Sequence, residues 1–114
     1  MNKPMLSDAV KRVVSLLVRG DFDALERMKM LGPSTKNEYA SALECYLRGR
    51  EALREPPTEA FDSLDIYNTA EKNKWRVDFD LWTDGGRSDL TAQIYVQEVQ
   101  PGIGHGVLYD LRVL

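Results

Sequence analysis

The second half of the sequence alternates apolar and polar residues, and this pattern restricts the possible folds more than any other feature. In the segment Trp75–Trp82, every second residue from Trp75 to Leu81 is apolar. Successive side chains of a β-strand point to opposite faces of a sheet. One face can therefore enter a core, while the other carries Arg76, Asp78, Asp80 and Trp82.

Four segments with strand character predict a four-stranded sheet. Asp84-Gly85-Gly86 is typical of a tight turn between two of them. The glycine-rich segment Pro101–Gly106 is interpreted as a flexible hairpin loop. Short connections between successive strands favour an antiparallel arrangement. The predicted strands are Phe61–Tyr67, Trp75–Trp82, Arg87–Val99 and Val107–Val113.

The alternation also predicts which strand residues are buried. In the last strand, Val107 and Tyr109 have the same parity as Leu111 and Val113, whereas Leu108 has the opposite parity. The strand residues expected in the core are Val77, Phe79, Leu81, Leu90, Ala92, Ile94, Leu111 and Val113. They should pack against Val10, Val13, Val14, Leu17, Leu43 and Leu47.

The first half of the sequence has helical spacing. An apolar stripe recurs along one face of the first segment. Gly20 suits the end of that helix and Asp21 the cap of the next one. Thr35 and Glu38 form a capping-box pattern, and Pro56-Pro57 ends the third helix as a short stiff connector. The predicted helices are Met5–Arg19, Asp21–Leu31 and Lys36–Arg48, with residues 51–54 either extending the third helix or following it.

The order of these elements predicts an α+β fold in which three N-terminal helices pack on one face of a four-stranded antiparallel sheet. The length of 114 residues suits a single domain over residues 1–114. The 15 basic and 18 acidic residues give a formal charge of −3, which argues against nucleic acid as a partner. The start of the chain lacks the apolar core of a secretory signal, and no apolar run is long enough to cross a membrane. A cytoplasmic protein is expected.

The residues that most often perform catalysis are scarce. The sequence has one cysteine, Cys45, and one histidine, His105. We expect Cys45 to be a partly buried packing residue of the third helix and His105 to be a solvated loop residue. Gly102–Gly106 is followed by a strand, whereas a phosphate-binding loop leads into a helix. No catalytic residue, metal site or cofactor is therefore predicted.

Four carboxylates, at Asp78, Asp80, Asp89 and Asp110, permit three interpretations: a cation or acid–base site, a solvated face, or a protein-binding face. Trp82 and Tyr95 have the parity of the polar face, and large aromatic residues are enriched in binding hot spots. Trp82 could instead fold over the edge of the sheet. Tyr39 and Tyr46 share a helical stripe and are expected in the core. The predicted partner-binding residues are Asp78, Asp80, Trp82, Asp89 and Tyr95.

Two segments resemble known families. Val14–Leu25, in which Gly20-Asp21 separates two helices, resembles the opening of cystatin-like (nuclear-transport-factor-2-like) domains. Trp75–Thr91, with Leu81-Trp82-Thr83 and Gly86–Thr91, is similar to a family of small uncharacterised bacterial domains. The second resemblance implies a bacterial origin and a single-domain fold, and it implies no activity.

These features favour a non-enzymatic bacterial binding protein. Its specific form is an immunity-type protein that neutralises a toxin, with a basic toxin domain as the expected partner, because acidic surfaces speed association with basic proteins. The alternative is a cystatin-like small-molecule-binding domain or enzyme with a pocket between sheet and helices. A homodimer formed through the sheet face is a third interpretation.

Overall fold

The computed structural model describes residues 2–49 and 51–113. It confirms an α+β fold in which N-terminal helices pack against an antiparallel sheet. The sheet has five strands, one more than the sequence predicted. The elements are α1 (Lys3–Val18), α2 (Phe22–Arg27), α3 (Lys36–Leu47), β1 (Leu53–Arg54), a 3-10 helix (Thr58–Phe61), β2 (Asp65–Asn68), β3 (Lys74–Thr83), β4 (Gly86–Gln100) and β5 (Ile103–Val113).

The helices begin where side chains satisfy free backbone N–H groups. The Asp21 carboxylate accepts from the Ala24 amide at 3.0 Å. At α3, Thr35 Oγ1 accepts from the Glu38 amide at 3.1 Å, and Glu38 Oε1 accepts from the Thr35 amide at 2.8 Å. The predicted capping box is therefore confirmed, and the carboxylate's bonds to Thr35 lower the pKa of Glu38.

Helix α2 is shorter than the predicted segment Asp21–Leu31. Lys29 adopts a left-handed conformation with φ of 56°, so the chain leaves the helix there. The next residues run beside β5. The Leu108 amide donates to the Met30 carbonyl at 2.8 Å, and the Gly32 amide donates to the Leu108 carbonyl at 2.7 Å. Pairing with β5 replaces the last turn of the predicted helix.

Both short strands pair with the same edge of β3. β1 pairs with Trp82 and Thr83, and β2 pairs with the segment 75–78. The described pairing leaves residues 79–81 of β3 without a strand partner on that edge. The sequence did not predict β1, because two residues cannot show an alternating pattern. The predicted strand Phe61–Tyr67 began too early, since β2 begins at Asp65 and Phe61 belongs to the 3-10 helix.

Pro101 and Gly102 form the turn between β4 and β5. Strand β5 begins at Ile103, so the prediction of a flexible loop was wrong for residues 103–106. Gly104 and Gly106 lie against α1 instead. A Cβ atom on Gly104 would be 3.2 Å from Met5 Cγ of α1, and one on Gly106 would be 3.0 Å from Val13 Cγ2 of α1. These contacts are shorter than normal carbon contacts. The glycines therefore allow α1 to pack closely on the sheet.

A β-bulge changes the parity of β5. Gln93 pairs with Asp110, but Ile94 pairs with Leu108, which leaves Tyr109 as an extra residue. Leu108 is consequently fully buried, while Tyr109 is 46% exposed. The prediction that Val113 is buried was also wrong, because its exposed fraction is 54%. Leu111 is partly buried.

The core lies between α1 and the sheet. The predicted strand residues Val77, Phe79, Leu81, Leu90, Ala92 and Ile94 are all buried. From α1, Leu6, Val10, Val13, Val14 and Leu17 are at most 1% exposed. Apolar side chains therefore fill the space in which a cystatin-like pocket would lie.

Tyr39 connects α3 to β5 through hydrogen bonds of its hydroxyl group. Its ring is buried, and its hydroxyl donates to the carbonyl oxygens of Leu108 and Tyr109, at 3.2 and 2.8 Å. Burial raises the pKa of Tyr39 above its usual value. Because the folded state favours the protonated phenol, its contribution to stability is complete below the unfolded pKa of about 10. That contribution is lost as the pH rises through the folded pKa.

We therefore expect Tyr39→Phe to lower the free energy of unfolding by about 1–3 kcal/mol at neutral pH, since it removes hydrogen bonds in a buried site. The difference between the two proteins should shrink above about pH 10, where the wild-type phenol ionises on unfolding. Urea titrations at about pH 7 and about pH 11 measure both effects. A constant difference across this range would contradict the assignment.

Candidate functional site

The sheet face opposite α1 carries the polar side chains predicted for binding. They do not form one cluster. Two separate concavities occur on this face, one at the gap in the β3 edge and one across β2–β5. Each concavity is formed where strand pairing brings together segments that are distant in sequence.

The first concavity is the acidic groove, a depression of about 290 Å³. It lies where β3 lacks a strand partner, between the 3-10 helix and the sheet. Glu59 and Asp65 contribute exposed carboxylates, and Phe79 contributes to the lining. The charged and aromatic residues that define the groove are Glu59, Asp65, Asp78, Asp80, Trp82 and Arg87.

Asp78 is not the solvent-exposed residue that the sequence predicted. Its side chain is 7% exposed, and Arg76 covers it. Arg76 Nη2 donates to Asp78 Oδ2 at 3.3 Å, and Arg76 Nε lies 3.2 Å from Asp78 Oδ1. Among the described residues, neither Nε nor Oδ1 completes a hydrogen bond. Asp78 therefore serves mainly to hold the Arg76 guanidinium. The two charges depend on each other, because removing one partner would leave the other charge buried and unpaired.

Asp80 is partly exposed and is held by two neighbours. Arg87 Nη2 lies 2.8 Å from Asp80 Oδ2, and Thr91 Oγ1 donates to Asp80 Oδ1 at 2.8 Å. The Asp80 side chain is 29% exposed to solvent. Asp80 is therefore a fixed negative charge at the groove, paired with a guanidinium that is itself largely exposed.

Trp82 lies inside the sheet and not at an edge. It pairs with Arg54 of β1 on one side and with Arg87 of β4 on the other. Its side chain is partly buried and borders the acidic groove. This position favours a contact residue over a ring that folds around the edge of the sheet.

Asp89 lies outside the acidic groove. An irregularity in the β3–β4 register, between Asp80 and Trp82, lets β4 loop out around Asp89. Its carboxylate accepts a hydrogen bond from the Tyr46 hydroxyl of α3, and this bond raises the pKa of Tyr46. Tyr46 is only partly buried. Asp110 is the fourth candidate carboxylate, and its Oδ1 accepts a hydrogen bond from the Leu111 amide at 2.9 Å.

Tyr95 belongs to the second concavity, which we call the tyrosine hollow. Its volume is about 580 Å³. The Tyr95 and Tyr109 rings meet edge to face, with 5.0 Å between their centroids. Lys74 Nζ lies 5.3 Å from the Tyr95 centroid. The aromatic and basic residues that define the hollow are Tyr67, Tyr95, Tyr109, Lys74, Arg76 and His105.

The sequence missed two of these tyrosines for different reasons. The bulge in β5 brings Tyr109 to the outer face, and no sequence pattern marks that bulge. Tyr67 pairs with Arg76, so its polar-face position follows from a register between two strands. The sequence places Arg76 on the polar face of β3. Tyr67 could have been assigned to the same face if the pairing register of β2 with β3 had been known.

Comparison with known protein families gives one match. The family described as Domain of unknown function (DUF7668) matches residues 14–114. The chain belongs to this family. The match includes every strand and both concavities, so both lie within the family's domain. No curated protein and no solved structure matches significantly.

Within this family domain, the two residues considered for catalysis lie on separate elements. Cys45 is exposed on α3, so its predicted packing role was wrong. His105 lies on β5, where its Nε2–H donates to the Lys29 carbonyl at 2.8 Å. Over residues 2–49 and 51–113, no cluster of three histidine, cysteine or acidic residues has the geometry of a metal site. No helix in the same ranges is long and apolar enough to span a membrane.

Proposed function

We propose that this chain is a non-enzymatic binding domain that holds a basic protein partner on the acidic groove. The observation that carries the proposal is the position of Trp82. Its indole ring borders a depression lined by the exposed carboxylates of Glu59 and Asp65 and by the paired charges of Asp80 and Arg87. The fourth carboxylate, Asp78, is nearly buried and paired with Arg76. A partly buried tryptophan beside fixed charges is typical of an interface hot spot.

The charges of the groove differ in their role. Glu59 and Asp65 are exposed, so they can attract a basic partner before contact. Asp80 is held in place by Arg87 and Thr91, so it loses little conformational freedom when a partner binds. The groove therefore combines steering charges at its rim with a fixed charge near the aromatic contact.

The specific form of the proposal is a bacterial immunity protein that covers a basic toxin. A groove with a carboxylate excess suits partners such as toxic nucleases, whose surfaces bind polyanions. The filled core supports this function over a small-molecule pocket between helices and sheet. The acidic groove does include Phe79 beside carboxylates, but it opens on the outer face.

The test uses the protein encoded by the adjacent gene as the partner. We expect the wild-type chain to bind it and to relieve its toxicity in co-expression. Trp82→Ala should weaken binding by about 2 kcal/mol, which is about 30-fold in Kd, because it removes the central aromatic contact. Calorimetry measures this loss, and Met28→Ala, at an exposed apolar residue directly after α2, is the control.

Charge reversal tests the steering role separately. Asp65→Lys should slow association at low salt and have a smaller effect as the Debye length falls below about 10 Å. Asp62→Lys makes the same change at an exposed aspartate outside the groove and should have little effect. Stopped-flow measurements at several salt concentrations distinguish them. Wild-type kinetics and affinity in both Asp65→Lys and Trp82→Ala would show that the acidic groove is not the interface.

A further inference from the structure

We propose that the tyrosine hollow is a second binding site, and that it binds an anion of mononucleotide size with an aromatic ring and a phosphate group. In this arrangement an aromatic ring stacks on the exposed tyrosines, and a phosphate group pairs with Lys74 and Arg76. The site is independent of the protein partner proposed for the acidic groove.

The tyrosines provide ring surface at several points across the sheet. Tyr67 lies on β2 and Tyr109 on β5, and they are 42% and 46% exposed. Tyr95 lies on β4 between them and is packed against Tyr109. Every nucleobase has a π face that can stack on such a ring. The hollow therefore offers exposed ring surface around a fixed aromatic centre.

Two cationic side chains lie over the rings of the hollow. Arg76 Cζ lies 4.3 Å from the Tyr67 centroid, and Lys74 Nζ lies over Tyr95. Cation–π contacts hold both groups near the hollow. Arg76 is also paired with Asp78 through Nε and Nη2, so it offers a phosphate only its remaining guanidinium N–H groups. Glu71 lies 3.5 Å from Lys74, but it is largely exposed, and such an ion pair contributes little to stability. An incoming phosphate can therefore replace Glu71 beside Lys74.

Size and charge select a mononucleotide-sized ligand. The volume of about 580 Å³ lies within the range of about 300–1,000 Å³ that is usual for small-molecule sites. An anion with a single small ring would leave much of this space empty. A nucleic-acid strand would extend along the same face past Asp65 and Asp80, and the chain carries a formal charge of −3. Repulsion from the acidic groove thus favours a ligand confined to the hollow.

The probe for this site is adenosine 5′-monophosphate, compared with adenosine, inorganic phosphate and a short single-stranded oligodeoxyadenylate. Calorimetry gives the affinities, and NMR chemical shifts locate the site. We expect the monophosphate to bind about tenfold more tightly than adenosine or phosphate, because stacking and charge pairing act together. The largest shifts should fall on Tyr67, Tyr95 and Tyr109.

Two variants with matched controls test the residues. Lys74→Gln and Tyr109→Ala should each weaken binding of the monophosphate by about fivefold or more. Lys72→Gln makes the same change outside the hollow, and Val113→Ala truncates another exposed side chain of β5. Both should leave the affinity within about twofold. Circular dichroism checks that each variant is folded.

Four results would overturn the proposal. The first is a monophosphate affinity no higher than that of phosphate alone. The second is a set of chemical shifts outside the hollow, and the third is equal losses in variants and controls. The fourth is tighter binding of the oligonucleotide, which would indicate a nucleic-acid surface. Trp82→Ala should leave monophosphate binding unchanged, so failure of this site and failure of the acidic groove are distinguishable.

Discussion

Leu108→Ala is expected to lower the free energy of unfolding by about 2–5 kcal/mol, because the Leu108 side chain of β5 is fully buried in the core. The truncation removes apolar contacts and leaves a cavity that surrounding atoms fill only in part. Tyr109→Ala, one residue later, should cost about 1 kcal/mol or less, since it loses mainly the edge-to-face contact with Tyr95. Urea unfolding at neutral pH measures both values.

This pair of substitutions tests the β-bulge directly. A regular strand would bury Tyr109 and expose Leu108, so it would reverse the order of the two losses. Val113→Ala provides a further control, because Val113 is 54% exposed and should lose about 0.5 kcal/mol or less. A larger loss at Tyr109 than at Leu108 would contradict the described register.

The helices were predictable because their signals are local. The Thr35 and Glu38 capping box lies within four residues, and the apolar stripe of α1 repeats along one short segment. The strands β3 and β4 were predictable for the same reason, since their alternation is long. The end of α2 was not, because pairing of Met30 and Gly32 with Leu108 joins segments far apart in sequence.

The glycines of β5 show a second limit of local reasoning. Glycine is typical of loops, so the segment Pro101–Gly106 predicted a flexible turn. In the structure, Gly104 and Gly106 make room for α1. The requirement comes from a helix about ninety residues earlier, and only the packed structure reveals it.

The candidate site was predicted in part. Alternation along β3 correctly placed Asp80 and Trp82 on the outer face. It gave no information on ion pairing, so the burial of Asp78 under Arg76 was missed. It also assumed regular pairing, so it grouped Asp89 and Tyr95 with these residues. Register irregularities place Asp89 beside α3, and the length of β4 places Tyr95 in the tyrosine hollow.

Phe79→Ala should cause a loss at least as large as Leu108→Ala, about 3–5 kcal/mol. Phe79 is 5% exposed and stacks on Phe61, with 4.8 Å between the ring centroids and 7° between the planes. Phe61→Ala should also destabilise the protein. The loss in the double variant should be smaller than the sum of the single losses by about 0.5–1.5 kcal/mol, the usual coupling of an aromatic pair. Additive losses would contradict the described stack.

The same stack connects the 3-10 helix, which lines the acidic groove through Glu59 and Ala60, to β3. Phe61 ends the 3-10 helix that carries Glu59, and the Ser7 hydroxyl ties its carbonyl to α1 at 3.0 Å. Phe61→Leu keeps an apolar side chain there, so the fold should survive with a loss of about 1.5 kcal/mol or less. Partner affinity should nevertheless fall, because the loosened helix no longer holds Glu59 and the groove wall in place. Calorimetry on the folded variant measures this fall, and unchanged affinity would show that the 3-10 helix takes no part in binding.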